Sequence, residues 1–340
     1  MEASFARGDL ETWGYGTGYA RDANDPSHLL SSVRRVICVA VPYRRPEPRA
    51  ANPLAGRVSS YAWSRDYHAS LREILGQLVR ILDEHAGGAA ASAVCDTAPL
   101  AERARAARAG LGWVGKHTNV ISPVAGSYVF LGEILTSVEL PIDRPLRKTC
   151  GECTCCVTAC PTGALRGDYT IDARRCIADL TQRTDPVPRA LRPWIGEWVW
   201  GCDICQVVCP PNRQAKTMGT KAFDPADAQT AAPDLVALLQ LKSSEFKRRY
   251  RATAMGWRGA AVLRRNAAIA LGNRLDRSTV PALAAALRND PHPMVRGAAA
   301  WALGRIGSPA ALIALRAAAR RETQASARNE IALALAENHA

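Results

Sequence analysis

Eight of the eleven cysteines in this 340-residue chain follow a spacing that constrains the fold more than any other feature. The first run reads C-x₂-C-x₂-C-x₃-C-P and consists of Cys150, Cys153, Cys156 and Cys160. This is the spacing with which bacterial-type [4Fe–4S] clusters are held: three cysteines wrap one cluster, and the cysteine before proline reaches another. The pattern predicts a segment whose shape depends on metal ligation more than on apolar packing.

A second run, Cys202, Cys205 and Cys209-Pro210, follows the first, and Cys176 lies alone between them. Because the cysteine before each proline is expected to cross to the other cluster, we assign two sets of four ligands. The first set is Cys150, Cys153, Cys156 and Cys209, and the second is Cys160, Cys176, Cys202 and Cys205.

Zinc and disulfides are the alternatives to iron–sulfur clusters. Structural zinc usually takes two cysteine pairs, which leaves two triple runs closed by Cys-Pro unexplained. Disulfides would need an oxidising compartment. Cys38, Cys95 and Cys155 are left over; Cys155 could replace Cys156 as a ligand, although the spacing from Cys153 favours Cys156.

The net charge of +13 is concentrated at the C-terminal end, where residues 242–340 hold 17 Lys and Arg against 6 Asp and Glu. Such an excess suits a surface that binds nucleic acid, although a solvated helical face is the alternative. We find no signal-like segment and no apolar run long enough for a membrane span. With thiolate clusters, this predicts a cytoplasmic protein, and the lack of coiled-coil heptads favours a monomer.

Three regions follow from composition and periodicity. Residues 1–145 alternate strand-like segments with helix-like ones, such as the strand at 33–41 and the helix at 68–85, which predicts an α/β domain. Residues 146–215 form a ferredoxin-like domain for two clusters. Residues 216–340 comprise a linker and helical repeats.

The repeats are visible as copies of one pattern. Residues 263–272, LRRNAAIALG, match residues 295–304, VRGAAAWALG, at an offset of 32, and a fainter copy begins at residue 327. Paired helices at this period predict a HEAT-like α-solenoid. Because solenoids often bind macromolecules along one face, we predict RNA contacts at the repeated basic positions: Arg264, Arg265, Arg296 and Arg328.

Together these motifs resemble epoxyqueuosine reductases, the cobalamin-dependent enzymes of queuosine tRNA modification. The resemblance covers about residues 25–335. The matching stretches are RDYH at 65–68, DTAPLAER at 96–103, AGLGWVGKH at 109–117, GSYVFLGE at 126–133, RCI at 175–177 and GCDICQ at 201–206. Trp257-Arg258-Gly259 and Arg265-Asn266-Ala267 match as well.

The resemblance implies a base-off cobalamin in the N-terminal domain, reduced by an external low-potential donor through the two clusters. It also implies reduction of epoxyqueuosine at the tRNA wobble position to queuosine. Asp96 is the proton donor that we predict, and burial against the corrin would raise its pKa; a helix N-cap is the alternative role. The family's corrin contacts fall on Ser59, Asp96, Val120, Leu131, Ala178 and Asp203.

Other matching residues leave their roles open. Arg65, Tyr67 and His68 belong either to the same pocket or to the structural framework. Arg103, Lys116 and His117 contact phosphate or the cobalamin tail, or else they are surface charges. The segment before Asp25 is short, and Ser60 stands where many relatives have arginine, which bears on the substrate more than on the cofactor.

Two further functions are compatible with the motifs. An electron-carrier module with a HEAT scaffold would hold two clusters without cobalamin. A dehalogenase-type cobalamin reductase would act on a small molecule, and it would have no evident use for a basic solenoid.

Overall fold

The computed structural model describes residues 2–47, 50, 52–88, 90–217 and 219–338. Its strands are β1 (Arg35–Pro42), β2 (Arg57–Val58), β3 (Ala91–Val94), β4 (Trp113–Val114), β5 (Val120–Ile121), β6 (Val129–Thr136) and β7 (Trp198–Trp200). Its α-helices are α1 (Glu2–Ala6), α2 (Thr17–Asp22), α3 (Tyr67–Ala86), α4 (Glu102–Arg108), α5 (Cys155–Ala159), α6 (Ile177–Gln182), α7 (Arg192–Ile195), α8 (Ile204–Val207), α9 (Pro210–Gln214), α10 (Ala228–Ala231), α11 (Leu235–Leu239), α12 (Ser243–Arg249), α13 (Ala260–Arg274), α14 (Val280–Asn289), α15 (Pro293–Ile306), α16 (Pro309–Ala319) and α17 (Ala325–Ala336).

The chain forms two compact units. The first contains Met1–Pro46, Ser64–Cys176 and Asp203–Asp224, and the second contains Glu47–Trp63, Ile177–Cys202 and Pro225–Ala340. The domain boundaries predicted near residues 145 and 215 remain a prediction. The compact units are groups of residues in space, and each contains several separate stretches of the chain.

The first unit is organised by a three-stranded sheet with the order β1-β6-β3, in which β6 pairs antiparallel with both neighbours. The predicted alternation of strands and helices is confirmed. The alternation did not predict which strands pair: β6 follows β1 and β3 in sequence but lies between them in the sheet. The short strand β3 ends opposite Glu133, so the residues after it emerge at the middle of β6.

Helix α3 packs on this sheet through the apolar residues that predicted it. Asp66 caps its N-terminus by accepting a hydrogen bond from the backbone N–H of His68, and Gly87 ends it in the left-handed conformation. Leu71 and Leu75 are completely buried. Gly132 of β6 allows this approach, because a Cβ at that position would lie 2.8 Å from Cδ1 of Leu75.

The second unit contains the repeats. Helices α13, α15 and α17 are the three copies, and α14 and α16 are the intervening helices. The repeated glycine has a packing role: a Cβ on Gly272 would lie 2.8 Å from Cα of Ala302, and one on Gly304 would lie 2.8 Å from Cβ of Ala334. Small residues at the same position of each repeat therefore let successive copies lie close together. In the described residues, no helix is both long and apolar enough to span a membrane.

Candidate active site

Asp96 lies two residues beyond the end of β3, where its carboxylate is held by the start of α3. The Tyr67 hydroxyl donates a hydrogen bond to Oδ2 of Asp96 at 2.9 Å, and Nε2 of His68 lies 3.0 Å from the same oxygen. The other ring nitrogen of His68 lies 2.7 Å from Oδ1 of Asp66. Because both ring nitrogens face carboxylates, this geometry favours the doubly protonated imidazolium.

The charges on this group follow from those contacts. The hydrogen bond from His68 holds the pKa of Asp96 below its ordinary value. Burial alone would lower the pKa of His68, but the hydrogen bonds to Asp66 and Asp96 outweigh it and raise that pKa to about 9. The expected increase in the pKa of Asp96 depends on burial against a corrin and stays a prediction; its side chain is 55% exposed here. The proton resides on His68.

Aromatic packing fixes the direction of the Tyr67 hydroxyl. The Tyr67 ring stacks on Phe130 of β6, with centroids 4.4 Å apart and planes 2° apart, and Phe130 stacks in turn on Tyr43. The His68 ring stacks on the Tyr67 ring, with centroids 4.0 Å apart. Sequence reasoning left Tyr67 and His68 open between a pocket and a framework, and the structure places both against Asp96.

Two acidic residues lie behind Asp96, and sequence reasoning assigned neither a role. Oε1 of Glu102, at the start of α4, accepts a hydrogen bond from the backbone N–H of Asp96. Glu133, at the middle of β6, is completely buried. Both belong to the motifs quoted above, DTAPLAER and GSYVFLGE, but a motif does not reveal that its acids meet.

The basic residues predicted near this site have other contacts. Arg65 pairs with Glu73 at 2.9 Å on the surface, and Lys116 donates to the carbonyl of Gly151 at 2.8 Å. His117 is 3% exposed, and burial lowers its pKa to about 4, so it is neutral. The charge of Arg103 lowers the pKa of Asp96.

The residues assigned to corrin contacts are mostly buried. Ser59, Val120 and Asp203 are 2%, 2% and 5% exposed, whereas Leu131 and Ala178 are half-buried. Ser59, Val120 and Asp203 therefore present little surface to a ligand, and the corrin contacts stay a prediction. His68 and His117 also fit base-off binding, since the first is hydrogen-bonded at both nitrogens and the second is buried.

A buried polar network joins the GSYVFLGE motif to the second cysteine run. Ser127 donates its hydroxyl to Oε1 of Gln206 at 2.8 Å, and its N–H donates to Oδ1 of Asn212. Gln206 donates to Oδ1 of Asp203 at 2.9 Å. Since Cys205 and Cys209 lie within this stretch, the network fixes the backbone that presents them.

The first set of cysteines forms one electrostatic group. Burial is the main cause that raises the pKa of Cys209, to about 11, and the charges of Cys150, Cys156 and Cys153 raise it further. The raised pKa values of Cys156 and Cys209 fit a site where a metal cluster stabilises the thiolates. Across the described residues, no three His, Cys, Asp or Glu side chains converge on a position for a single metal ion.

Three of the arginines predicted to contact RNA, Arg264, Arg265 and Arg296, have partners within the protein. These contacts do not test RNA binding, so the RNA contacts stay a prediction. Arg264 pairs with Asp290, and Arg296 pairs with Glu322, each at 2.7 Å and each across 26 residues. Repeated arginines therefore join each copy to the loop after the next helix.

Arg265 is 1% exposed, and it donates to backbone carbonyls of the 180–185 segment. Arg328 is the exception among the four predicted residues. It is exposed, although it also donates to the carbonyls of Glu322 and Thr323.

Comparison with known proteins agrees with each region. Residues 24–97 match the family model described as Epoxyqueuosine reductase QueG, DUF1730. Residues 149–212 match a 4Fe-4S double cluster binding domain, and residues 258–336 match HEAT repeats. These matches confirm the predicted two-cluster domain and solenoid.

Relatives extend over most of the chain. The epoxyqueuosine reductase of Bacillus subtilis (strain 168) is 36% identical over 94% of this chain and 85% of its own length. That of Escherichia coli (strain K12) is 38% identical over 82% of this chain and 75% of its own length.

Two solved structures are similarly close. An epoxyqueuosine reductase with an epoxyqueuosine-modified tRNA-Tyr stem loop has a TM-score of 0.90 and 34% identity, covering 100% of this chain and 92% of its own. The Bacillus subtilis enzyme with its catalytic aspartate loop swung out of the active site has a TM-score of 0.89 and 34% identity, covering 99% and 92%. This chain therefore belongs to the epoxyqueuosine reductase family of oxidoreductases.

Proposed function

We propose that this chain reduces epoxyqueuosine in tRNA to queuosine, with electrons passing through two [4Fe–4S] clusters to a cobalamin and Asp96 delivering a proton. The observation that carries this proposal is the exposed Asp96 carboxylate, which Tyr67 and His68 hold at the end of β3. The stem-loop complex of the related enzyme supports tRNA as the substrate.

The reaction needs two electrons and two protons. Converting an epoxide to an alkene breaks both carbon–oxygen bonds and releases the oxygen as water, so each electron is matched by a proton. The cobalamin, when bound, supplies a strong reductant for the carbon centre. The protein's part is to place acid groups beside the departing oxygen.

Asp96 and His68 supply the proton together. At neutral pH the imidazolium of His68 holds a proton 3.0 Å from Oδ2 of Asp96. An oxygen that gains negative charge as its bond to carbon breaks is a far stronger base than a carboxylate. The imidazolium of His68 therefore gives its proton to Asp96, and Asp96 passes it to this oxygen, while the Tyr67 hydroxyl orients the carboxylate. The second proton, which completes the water, comes from solvent.

The related structure with a displaced catalytic loop supports this assignment. In that enzyme a catalytic aspartate lies on a loop that can swing out of the active site. Asp96 also lies in a loop, between β3 and α4, and its side chain is 55% exposed. We infer that Asp96 is the counterpart of that aspartate.

The ligand sets remain those of the cysteine spacing. Cys150, Cys153, Cys156 and Cys209 hold one cluster, which the shared electrostatics of these thiols supports. Cys160, Cys176, Cys202 and Cys205 hold the second. An external low-potential protein or small reductant supplies the electrons.

The corrin contacts remain Ser59, Asp96, Val120, Leu131, Ala178 and Asp203. Asp203 is fixed by Gln206 within the buried network, so it contributes a rigid wall. We propose that tRNA binds through exposed basic residues, including Arg328, and that the enzyme acts as a monomer.

The test is anaerobic reconstitution with iron, sulfide and cobalamin, followed by turnover of epoxyqueuosine tRNA with a chemical reductant. We expect about eight irons per chain, a base-off cob(II)alamin signal in electron paramagnetic resonance, and queuosine in the digested tRNA. Two clusters with no retained corrin would instead favour an electron carrier. Corrin binding with no turnover of the tRNA would favour a different substrate.

The RNA surface is tested by charge reversal. Arg328→Glu is expected to weaken tRNA binding and to reduce the salt dependence of affinity by about one unit in the logarithmic slope. Exposed Arg80 of α3 offers a matched control, Arg80→Glu, outside the second unit. Equal affinity and slope for Arg328→Glu and the unaltered enzyme would exclude Arg328 from the interface.

A further inference from the structure

The backbone of Asp96 adopts a conformation that a non-glycine residue rarely takes. Its φ angle is +55°, in the left-handed region, although Asp tolerates this region better than most residues. The next residue turns back at once, since the N–H of Thr97 donates to the carbonyl of Cys95. The loop needs an outside contact to hold this shape, because such conformations persist only where their surroundings determine them.

Glu102 provides that contact. The carboxylate of Glu102, at the first turn of α4, accepts the backbone N–H of Asp96. The hydrogen bond spans six residues and closes the segment between β3 and α4 into a loop. Because it reaches the backbone of Asp96, it leaves the Asp96 carboxylate free to meet Tyr67 and His68. Glu102 is thus joined to the catalytic group without touching its reacting atoms.

Glu133 interacts electrostatically with Glu102, and the positive charge of Arg105 also acts on it. Its side chain is completely buried on β6, and neither carboxyl oxygen has a hydrogen-bond partner among the described residues. Burial, and then the charge of Glu102, raises the pKa of Glu133. Burial also raises the pKa of Glu102, although the Asp96 N–H opposes this increase. Glu133 is therefore the member of the pair that keeps its proton to the higher pH.

We propose that Glu102 is a positioning residue for the reduction, which fixes the Asp96 loop by accepting the backbone N–H of Asp96. This inference rests on the proposed function only for its effect on rate. The conformational part concerns the loop itself. The other titratable groups that act on the pair from neighbouring elements are Tyr19, Cys38, Cys95, Asp96, Arg103 and Arg105.

Substitutions of Glu102 separate the hydrogen bond from side-chain bulk. Glu102→Gln keeps an oxygen acceptor of the same size, whereas Glu102→Leu keeps bulk and removes the acceptor. Glu84→Leu, on the exposed part of α3, is the matched control. Each variant is measured as reconstituted holoenzyme for iron content, affinity for epoxyqueuosine tRNA, and single-turnover rate.

We expect Glu102→Leu to lower the single-turnover rate by about 100-fold with unchanged iron content and tRNA affinity, because small displacements of a catalytic group cost rates of this order. Glu102→Gln should restore the rate to within about fivefold of the unaltered enzyme, on the same reasoning. Similar rates for Glu102→Leu and Glu84→Leu would overturn the proposal, as would an equally inactive Glu102→Gln.

Hydrogen–deuterium exchange tests the loop independently of the reaction. Glu102→Leu should speed amide exchange in a peptide covering residues 95–101 by at least about tenfold, since it removes the acceptor of the Asp96 N–H. Glu102→Gln should exchange at close to the original rate. If the unaltered enzyme fails to reduce epoxyqueuosine but these exchange differences appear, the proposed function fails and the positioning role stands. Unchanged exchange in Glu102→Leu overturns the positioning role whatever the activity.

Discussion

Nε2 of His68 lies 3.0 Å from Oδ2 of Asp96, and this contact sets which of the two groups holds the proton. The pKa of Asp96 is lowered and that of His68 is raised to about 9, so the pair carries a proton throughout the neutral range. A carboxylate that is ionised at rest can still act as the acid if an imidazolium beside it supplies the proton.

Replacing the Asp96 carboxylate should lower the rate of reduction without changing cluster content or tRNA binding. We expect Asp96→Asn to lower the single-turnover rate by about 10²- to 10⁴-fold, the usual contribution of a general acid. Iron content and tRNA affinity should not change, because Asn has the same shape. The matched control is Asp83→Asn on the exposed part of α3. A rate close to that of the control would show that Asp96 is only a structural residue of the loop.

Replacing His68 should move the pH limit of the reaction. In the unaltered enzyme the pair loses its proton above pH 9, so the rate should fall as pH rises through this value. His68→Gln removes the main cause that lowers the pKa of Asp96, and the only remaining proton is the one on Asp96 itself. The rate should then fall at a pH several units lower. The pH dependence of single turnover checks this, and superimposable profiles would contradict a proton held on His68.

Much of the local structure could be predicted from the sequence, but contacts between residues distant in sequence could not. Cysteine spacing, the helical periodicity of α3 and the 32-residue repeat each predicted a local feature, because each depends on neighbours along the chain. The arginines of the repeats show the limit of such reasoning. Arg264 and Asp290 lie 26 residues apart, so the sequence displays an excess of charge without showing which arginines are already paired. Glu102 and Glu133 were missed for the same reason.

Burial of Glu133 should make stability depend on pH. Its folded-state pKa lies near 9 and its unfolded value near 4.5, so the folded state holds a proton that the unfolded state releases between them. The free energy of unfolding therefore falls as pH rises across this range, by up to about 1.4 kcal/mol per unit. Glu133→Gln should reduce this slope, while Glu102 still contributes to it at lower pH. Thermal unfolding of the holoenzyme at pH 6, 7 and 8 checks it; equal slopes in both proteins would show that Glu133 does not hold the proton.

The ion pair between Arg296 and Glu322 should matter for stability. The two side chains are 14% and 6% exposed, and removing one partner of a buried pair leaves the other charge uncompensated. Arg296→Leu should therefore destabilise the protein by about 3–5 kcal/mol, whereas Arg296→Leu with Glu322→Leu should recover most of that loss. Denaturant unfolding gives these values. If the double variant bound tRNA more weakly than the unaltered enzyme at full stability, Arg296 would contact RNA after all.

Cys155 and Cys156 are adjacent, yet only one of them is expected to bind iron. Cys156 is 6% exposed and its pKa responds to the charges of Cys150 and Cys153, whereas the side chain of Cys155 is exposed. The C-x₂-C spacing from Cys153 also selects Cys156. Cys156→Ser should therefore lower iron from about eight to about four per chain after anaerobic reconstitution, since one cubane loses a ligand. Cys155→Ser is the matched control and should keep both clusters. Full iron content in Cys156→Ser, or loss of iron in Cys155→Ser, would show that Cys155 rather than Cys156 is the third ligand.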